Sequence, residues 1–248
     1  MIPLTGQHRG TLQSAVLRRV GQARRRAQPF SGGLTPKQSL ITANSLTRTA
    51  ALTITGMGHA SDARVAPDEA RGSLHLLFVC TGNICRSPIA ERLAAAQAAQ
   101  RQISGLYTSS AGTRAVIGHP VHREAASVLQ SLGGDASSFG ARQLTARIAM
   151  DADLILTMTR AHRDRVLELA PRLLSKAFTL AEVAYLASDA GAPAMADLGL
   201  LRPKLAASNL PDVPDPIGQS KEVFVEVGLQ IATLLAPVLE LCRRTAAS

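Results

Sequence analysis

The sequence predicts an α/β fold: a four-stranded parallel sheet flanked by helices on both faces. Three observations carry that reading. Residues 74–79, LHLLFV, form a nearly unbroken apolar run of strand length, the pattern of a strand covered on both sides. Short apolar runs then alternate with helix-length segments along the chain, which calls for right-handed crossovers between parallel strands. Of the 248 residues, 46% are apolar, enough for a sizeable core.

The elements follow in order. A strand over 74–80 leads through a tight loop to a helix over 88–102, rich in Ala, Gln, Glu and Arg, with Pro88 in its favoured first turn. A strand at 106–110, a helix at 120–133 and a strand at 153–158 come next. A helix at 160–170, a strand at 175–179 and helices at 180–187 and 220–243 complete the pattern. Residues 188–210, rich in Ala, Pro and Leu, read as a lid or a surface loop. No uninterrupted apolar stretch approaches the ~20 residues of a membrane span. The best candidate, Val227 to Leu241, is short and carries Gln230, Pro237 and Glu240.

Charge divides the chain in two. The formal net charge is +9, which at first sight suggests a polyanionic partner. Residues 1–72 hold ten Lys/Arg and three acidic residues, net +7, whereas the other 176 residues hold 17 and 15, net +2. The basic character therefore belongs to an N-terminal extension, 1–72, and a domain over 73–248 is nearly neutral. Scattered apolar residues and the breakers Gly32, Gly33 and Pro36 make the extension a solvated, disordered tail. Leu12 to Arg26 is the one stretch with the spacing of a short basic amphipathic helix, suited to nucleic acid or an anionic membrane surface. An Arg-rich, acid-poor leader is like an organellar transit peptide in composition, and translation starting at Met57 is an alternative origin for the extension. Aromatics at 3% and no Trp argue against single-strand nucleic-acid binding by stacking, so no nucleic-acid partner is expected for the domain. Three cysteines are no disulfide scaffold, and a reducing, cytoplasmic location is expected.

The chemistry lies in Cys80-Thr81-Gly82-Asn83-Ile84-Cys85-Arg86-Ser87-Pro88, between the first strand and the first helix. Amide N–H groups of a loop that ends on a helix N-terminus converge on an anion, and the helix dipole adds favourable potential. Gly82 allows the close turn, and Arg86 offers a planar fork for two phosphoryl oxygens. Cys80 sits in the same positive potential, which favours its thiolate. A thiolate beneath an anion cradle suits covalent phosphoryl transfer. His119 and His122 have metal-like spacing but no third ligand, so they read as a surface pair; no metal or cofactor is expected. His75 has no evident partner, and Cys242 reads as buried or inert.

The block Phe78 to Pro88 resembles the signature of the low-molecular-weight protein tyrosine phosphatases. Ser110-Ala111-Gly112-Thr113, Ala141 to Thr145, Asp153 to Met158 and Pro214-Asp215-Pro216 match the same family in order, over about residues 73–243. The resemblance implies a phosphate-binding loop after the first strand, with Cys80 as nucleophile. Thr81, Gly82, Asn83, Ile84, Cys85, Arg86 and Ser87 would bind phosphate. Ser87 would stabilise the thiolate, and Asn83 would hold the loop through side-chain bonds with Ser110 as a partner. Asp215 would protonate the leaving group and then activate water, a role that a poor leaving group requires in any case. Asp212 is its nearby rival. Cys85 would be either a reversible disulfide partner of Cys80 or a packing residue.

The implied activity is hydrolysis of phosphomonoesters, with protein phosphotyrosine foremost; the partners are then a phosphorylated protein or a small phosphomonoester. The alternatives are an arsenate reductase resolved by a small-molecule thiol, and a catalytically dead anion-binding module or a nucleic-acid binder acting through the tail. Three departures stand out. Val116 replaces a common Trp, Ile217-Gly218 replace Tyr, and Phe139-Gly140 stand where a His near the loop Asn is usual. The missing aromatics make a flat aromatic substrate less assured. Oligomeric state is not legible in the chain.

Overall fold

A computed structural model describes residues 73–188 and 194–246. The expectations for residues 1–72, including the tail, its helix and the start at Met57, lie outside the described residues, as does 189–193 of the lid or surface loop.

Four strands form one parallel sheet in the order β2-β1-β3-β4: β1 (Leu74–Cys80), β2 (Leu106–Gly112), β3 (Leu154–Thr157) and β4 (Ala177–Thr179). β1 pairs with β2 from Leu74↔Leu106 to Cys80↔Gly112 and with β3 from Leu76↔Leu154 to Val79↔Thr157. Lying between two neighbours, β1 is buried from Leu76 to Cys80, as its unbroken apolar run requires. Alternation sends Leu76 and Phe78 into one core layer and Leu77 and Val79 into the other.

The first layer is covered by α1 (Arg86–Gln100), α2 (Arg123–Ser131), α5 (Leu180–Ser188) and α7 (Lys221–Ala246). The second is covered by α3 (Ala146–Met150), α4 (Arg160–Leu169) and the 3-10 turn Pro171–Ser175. Helices thus cover both faces. α1 begins at Arg86 rather than 88, so Arg86 and Ser87 lie in its first turn. α3 is a helix the sequence pattern did not suggest; Thr145 starts it by accepting from Ile148 N at 3.2 Å. α5 opens on a reciprocal cap in which Thr179 Oγ1 accepts from Glu182 N and Glu182 Oε2 accepts from Thr179 N.

The part of 188–210 that is described is a packed segment rather than an open loop. Two 3-10 turns, Met195–Asp197 and Arg202–Ala207, flank α6 (Leu198–Leu201), whose Leu198 is buried. The Arg202 guanidinium lies 3.8 Å from the Phe178 ring centroid and donates to the carbonyls of Leu174 and Ala177. α7 is long and apolar enough to cross a membrane by length and composition. Here it packs on α1, α2 and α5, with Phe224, Val227, Ile231, Leu235 and Leu239 buried.

Gly112 closes β2 against the loop after β1. A Cβ there would stand 2.5 Å from the Thr81 carbonyl oxygen and 3.0 Å from Ala115. Gly112→Ala is therefore expected to displace the loop backbone and to lower kcat/KM for a phosphomonoester ~10²-fold, the scale of an ångström-sized misplacement. Steady-state kinetics on the variant, with circular dichroism to check the fold, test this.

Candidate active site

The loop from Thr81 to Cys85 leaves the C-terminal end of β1, where open α/β sheets bind ligands. Its carbonyls are engaged from outside. Cys80 O, Thr81 O, Gly82 O and Ile84 O accept from the backbone N–H groups of Thr113, Arg114, Val116 and His122 at 2.7–3.0 Å. Carbonyls held from outside leave the amides of the loop as the groups that can make an anion cradle.

Asn83 sits in the left-handed region with φ +54°, uncommon for a residue with a side chain. Three bonds from its buried side chain hold it there. Nδ2 donates to Ser87 Oγ at 2.9 Å and to Ser110 Oγ at 2.8 Å, and Oδ1 accepts from Arg142 N at 2.9 Å. Beneath the cradle, Cys80 Sγ lies 3.0 Å from Ser87 Oγ.

Arg86 is buried. Nη1 donates to Val213 O at 3.2 Å, Nη2 pairs with Asp215 Oδ2 at 2.5 Å, and buried Nε has no partner among the described residues. Asp215 is half exposed, stands between two prolines, and takes Ile217 N on its other oxygen at 3.2 Å. Its segment is tied to the end of β3 by Val213 N donating to Met158 O. Asp212 is engaged elsewhere: it accepts from Arg160 N at the start of α4 and pairs with the Arg160 side chain. Of the two acids, only Asp215 lines the cavity above Cys80. That cavity has a volume of about 250 Å³, a floor of Cys80 to Gly82 and Ile84 to Arg86, and walls of Val116, Ile217 and Arg114. Val116 and Ile217, the two aliphatic departures from the family pattern, thus line the same space. Larger cavities beside Ser73 and between α2 and α7 hold no comparable set of groups.

Cys85 is buried in the loop, and burial, reinforced by neighbouring Cys80, pushes its thiol up to about 12. All three cysteines are free, and burial likewise raises Cys242 to about 12. His119 is exposed, while the His122 ring stacks on Phe224; no group of three His, Cys, Asp or Glu residues suited to a metal occurs among the described residues. His75 bonds Ser109 Oγ and the Asp151 carbonyl.

Sequence reasoning missed His162. Its Nε2 lies 2.9 Å from Thr81 Oγ1 and its Nδ1 2.9 Å from Thr159 Oγ1. Burial first, then the Arg86 charge, lower it to about 4, so the ring is neutral and braces the first residue of the loop. Thr159-x-x-His marks a helix start, but nothing local ties His162 to a threonine 81 residues earlier.

Two results are expected. His162→Ala raises the inhibition constant of inorganic phosphate about fivefold, the scale of one hydrogen bond. Because the folded-state value lies below that of the unfolded chain, the wild type loses stability as pH falls from about 6.5 toward 4. Thermal unfolding across that range falls less steeply in His162→Gln.

The family model described as low molecular weight phosphotyrosine protein phosphatase matches residues 75–193. The low molecular weight protein-tyrosine-phosphatase Etp of Escherichia coli K12 is 40% identical over 101 residues, which are 41% of this chain and 65% of Etp. The chain therefore spans slightly less than two thirds of that relative. The phosphatase Wzb of the same organism is 32% identical over 153 residues, 62% of this chain and 84% of Wzb. The crystal structure of the low molecular weight protein tyrosine phosphatase from T. tengcongensis superposes with a TM-score of 0.55 at 29% identity, covering 68% of this chain and 99% of that one. Shared sequence over most of Wzb's length, on a shared four-stranded framework, makes this chain a member of the low molecular weight protein-tyrosine-phosphatase family.

Proposed function

We propose that the chain hydrolyses phosphate monoesters, protein phosphotyrosine foremost, through a phosphocysteine intermediate on Cys80. One observation carries the reading: the Asp215 carboxylate, 129 residues away in sequence, meets the Arg86 guanidinium at 2.5 Å on the rim of the cavity floored by Cys80. A nucleophile, an anion fork and a proton carrier thus share one pocket.

The steps follow from these positions. An entering phosphoryl dianion takes the cradle amides and the Arg86 fork; Asp215, displaced from its ion pair and beside the dianion, takes up a proton from solvent. The Cys80 thiolate attacks phosphorus opposite the ester oxygen, and the P–O bond breaks as Asp215 delivers its proton to that oxygen. Asp215, now a carboxylate, takes a proton from water, whose oxygen attacks the phosphocysteine. Inorganic phosphate leaves, and the sulfur departs as thiolate, accepting a hydrogen bond from Ser87 Oγ–H. A proton carrier at the rim favours ester hydrolysis over arsenate reduction.

Val116 and Ile217 form an apolar slot for the ring of phosphotyrosine, and Cys85 in the same loop closes a disulfide with Cys80 when a peroxide takes the two electrons, slowly because its thiol is pushed up to about 12. A thiolate nucleophile and three free cysteines suit the reducing cytoplasm. The test is release of phosphate from a phosphotyrosine peptide and from para-nitrophenyl phosphate by the full chain; no release from either overturns the reading. Residues 73–248 are the catalytic unit on this proposal, so a chain shortened to begin at Gly72 keeps kcat/KM within about twofold, the span of a neutral surface change.

A further inference from the structure

A line of polar contacts leaves Cys80 on the side away from the substrate cavity. Ser87 Oγ is 3.0 Å from the sulfur, Asn83 Nδ2 donates to Ser87 Oγ at 2.9 Å and to Ser110 Oγ at 2.8 Å, and Ser110 Oγ donates to Glu91 Oε2 at 2.5 Å. Donor and acceptor counting gives the line a direction. The Glu91 carboxylate takes the Ser110 proton, which leaves Ser110 Oγ to accept one amide hydrogen of Asn83. The other amide hydrogen occupies Ser87 Oγ as an acceptor, so the Ser87 hydroxyl proton is free to point at sulfur. A charged acceptor at the far end polarises each successive bond toward Cys80.

The line ends at a second opening. Glu91, Arg92, Tyr107, Ser138 and Arg142 border a cavity of about 190 Å³ on another part of the surface. Two cations act on the carboxylate there, and Tyr107 borders the same cavity. Arg92 on α1 lies with Nε 3.5 Å from Oε1 and comes near Asp135. Arg142, from the loop before α3, donates through Nε to Ser110 O, and Tyr107 comes from β2. From β2 as well, Thr108 Oγ1 donates to the Glu91 carbonyl. Phe139-Gly140 stand beside Arg92, where the family pattern carries a His, so among the described residues no imidazole joins the line.

We propose that Glu91 is a positioning residue: reached by protons through this second cavity, its carboxylate fixes Ser110 as an acceptor and, through Asn83 and Ser87, aims a hydroxyl at the Cys80 sulfur. The inference rests on Cys80 as the nucleophile. Burial raises Glu91 above its ordinary carboxylate range, while Ser110, Arg92 and Arg142 act in the opposite sense. The charged state is therefore lost, and the aim with it, at a higher pH than for an ordinary carboxylate.

Two readouts on the full chain test this: the pH profile of kcat/KM, and the rate at which iodoacetamide alkylates Cys80, followed by mass spectrometry of its peptide. Glu91→Gln keeps the side chain's size and an acceptor oxygen but removes the charge. It is expected to slow Cys80 alkylation near pH 6.5 about five- to tenfold, the scale of one charge-assisted hydrogen bond, and to remove an acid-side inflection from the profile. In a Ser87→Ala background the same substitution is expected to change the alkylation rate less than twofold, because the line is already cut. An unchanged rate and profile in Glu91→Gln, or equal effects with and without Ser87, overturns the proposal. Alkylation is independent of turnover: if the chain hydrolyses no ester yet Glu91 and Ser87 remain coupled in alkylation, the relay stands and the phosphatase reading fails.

Discussion

Cys80→Ser lowers turnover of para-nitrophenyl phosphate by at least ~10⁴-fold, the order seen when a covalent nucleophile is removed from an intact site. A hydroxyl in the same place keeps the contact with Ser87 and the packing of a buried small side chain, so the fold persists. The cradle amides and Arg86 are untouched, and inorganic phosphate still binds competitively in a calorimetric titration. Turnover within tenfold of wild type would mean that water attacks phosphorus directly and that no phosphocysteine forms.

Asp215→Asn lowers kcat ~10²- to 10³-fold, the usual contribution of a positioned acid and base. The loss depends on the leaving group: it is smaller for para-nitrophenyl phosphate, whose phenol departs readily, than for phenyl phosphate or phosphotyrosine. The same substitution removes the ion pair that occupies Arg86 Nη2 in the resting site. Because Asp215 is half exposed, that pair is worth about 1 kcal/mol, so inorganic phosphate binds about fivefold tighter to the variant. A weaker catalyst with a stronger grip is the combined signature. Equal losses across leaving groups would assign the proton to another group, and unchanged phosphate affinity would show that the ion pair does not compete with substrate.

Legibility in the sequence follows contiguity. β1, the loop and α1 occupy 27 successive residues, Leu74 to Gln100, and each leaves a local mark: an apolar run, a Cys-x5-Arg spacing, a Pro in a first turn. Asp215 was readable because two prolines frame it. The braces around the loop leave no such mark. His162 reaches Thr81 across 81 residues, Arg142 reaches Asn83 across 59, and Glu91 reaches Ser110 from one helix face to a strand. Each becomes visible only when the sheet order β2-β1-β3-β4 lays their elements side by side. The segment around Leu198 misled for a related reason. Its Ala and Pro content signals irregular backbone, whereas its burial is decided by one leucine and by Arg202 lying on Phe178.

Val116 touches the site twice, and in two independent ways. Its backbone N–H holds the Gly82 carbonyl, while its side chain forms a wall of the cavity. Any residue other than proline can make the first contact, and only the side chain's shape sets the second. Substrate preference can therefore drift at this position by single exchanges while the machinery below it stays intact.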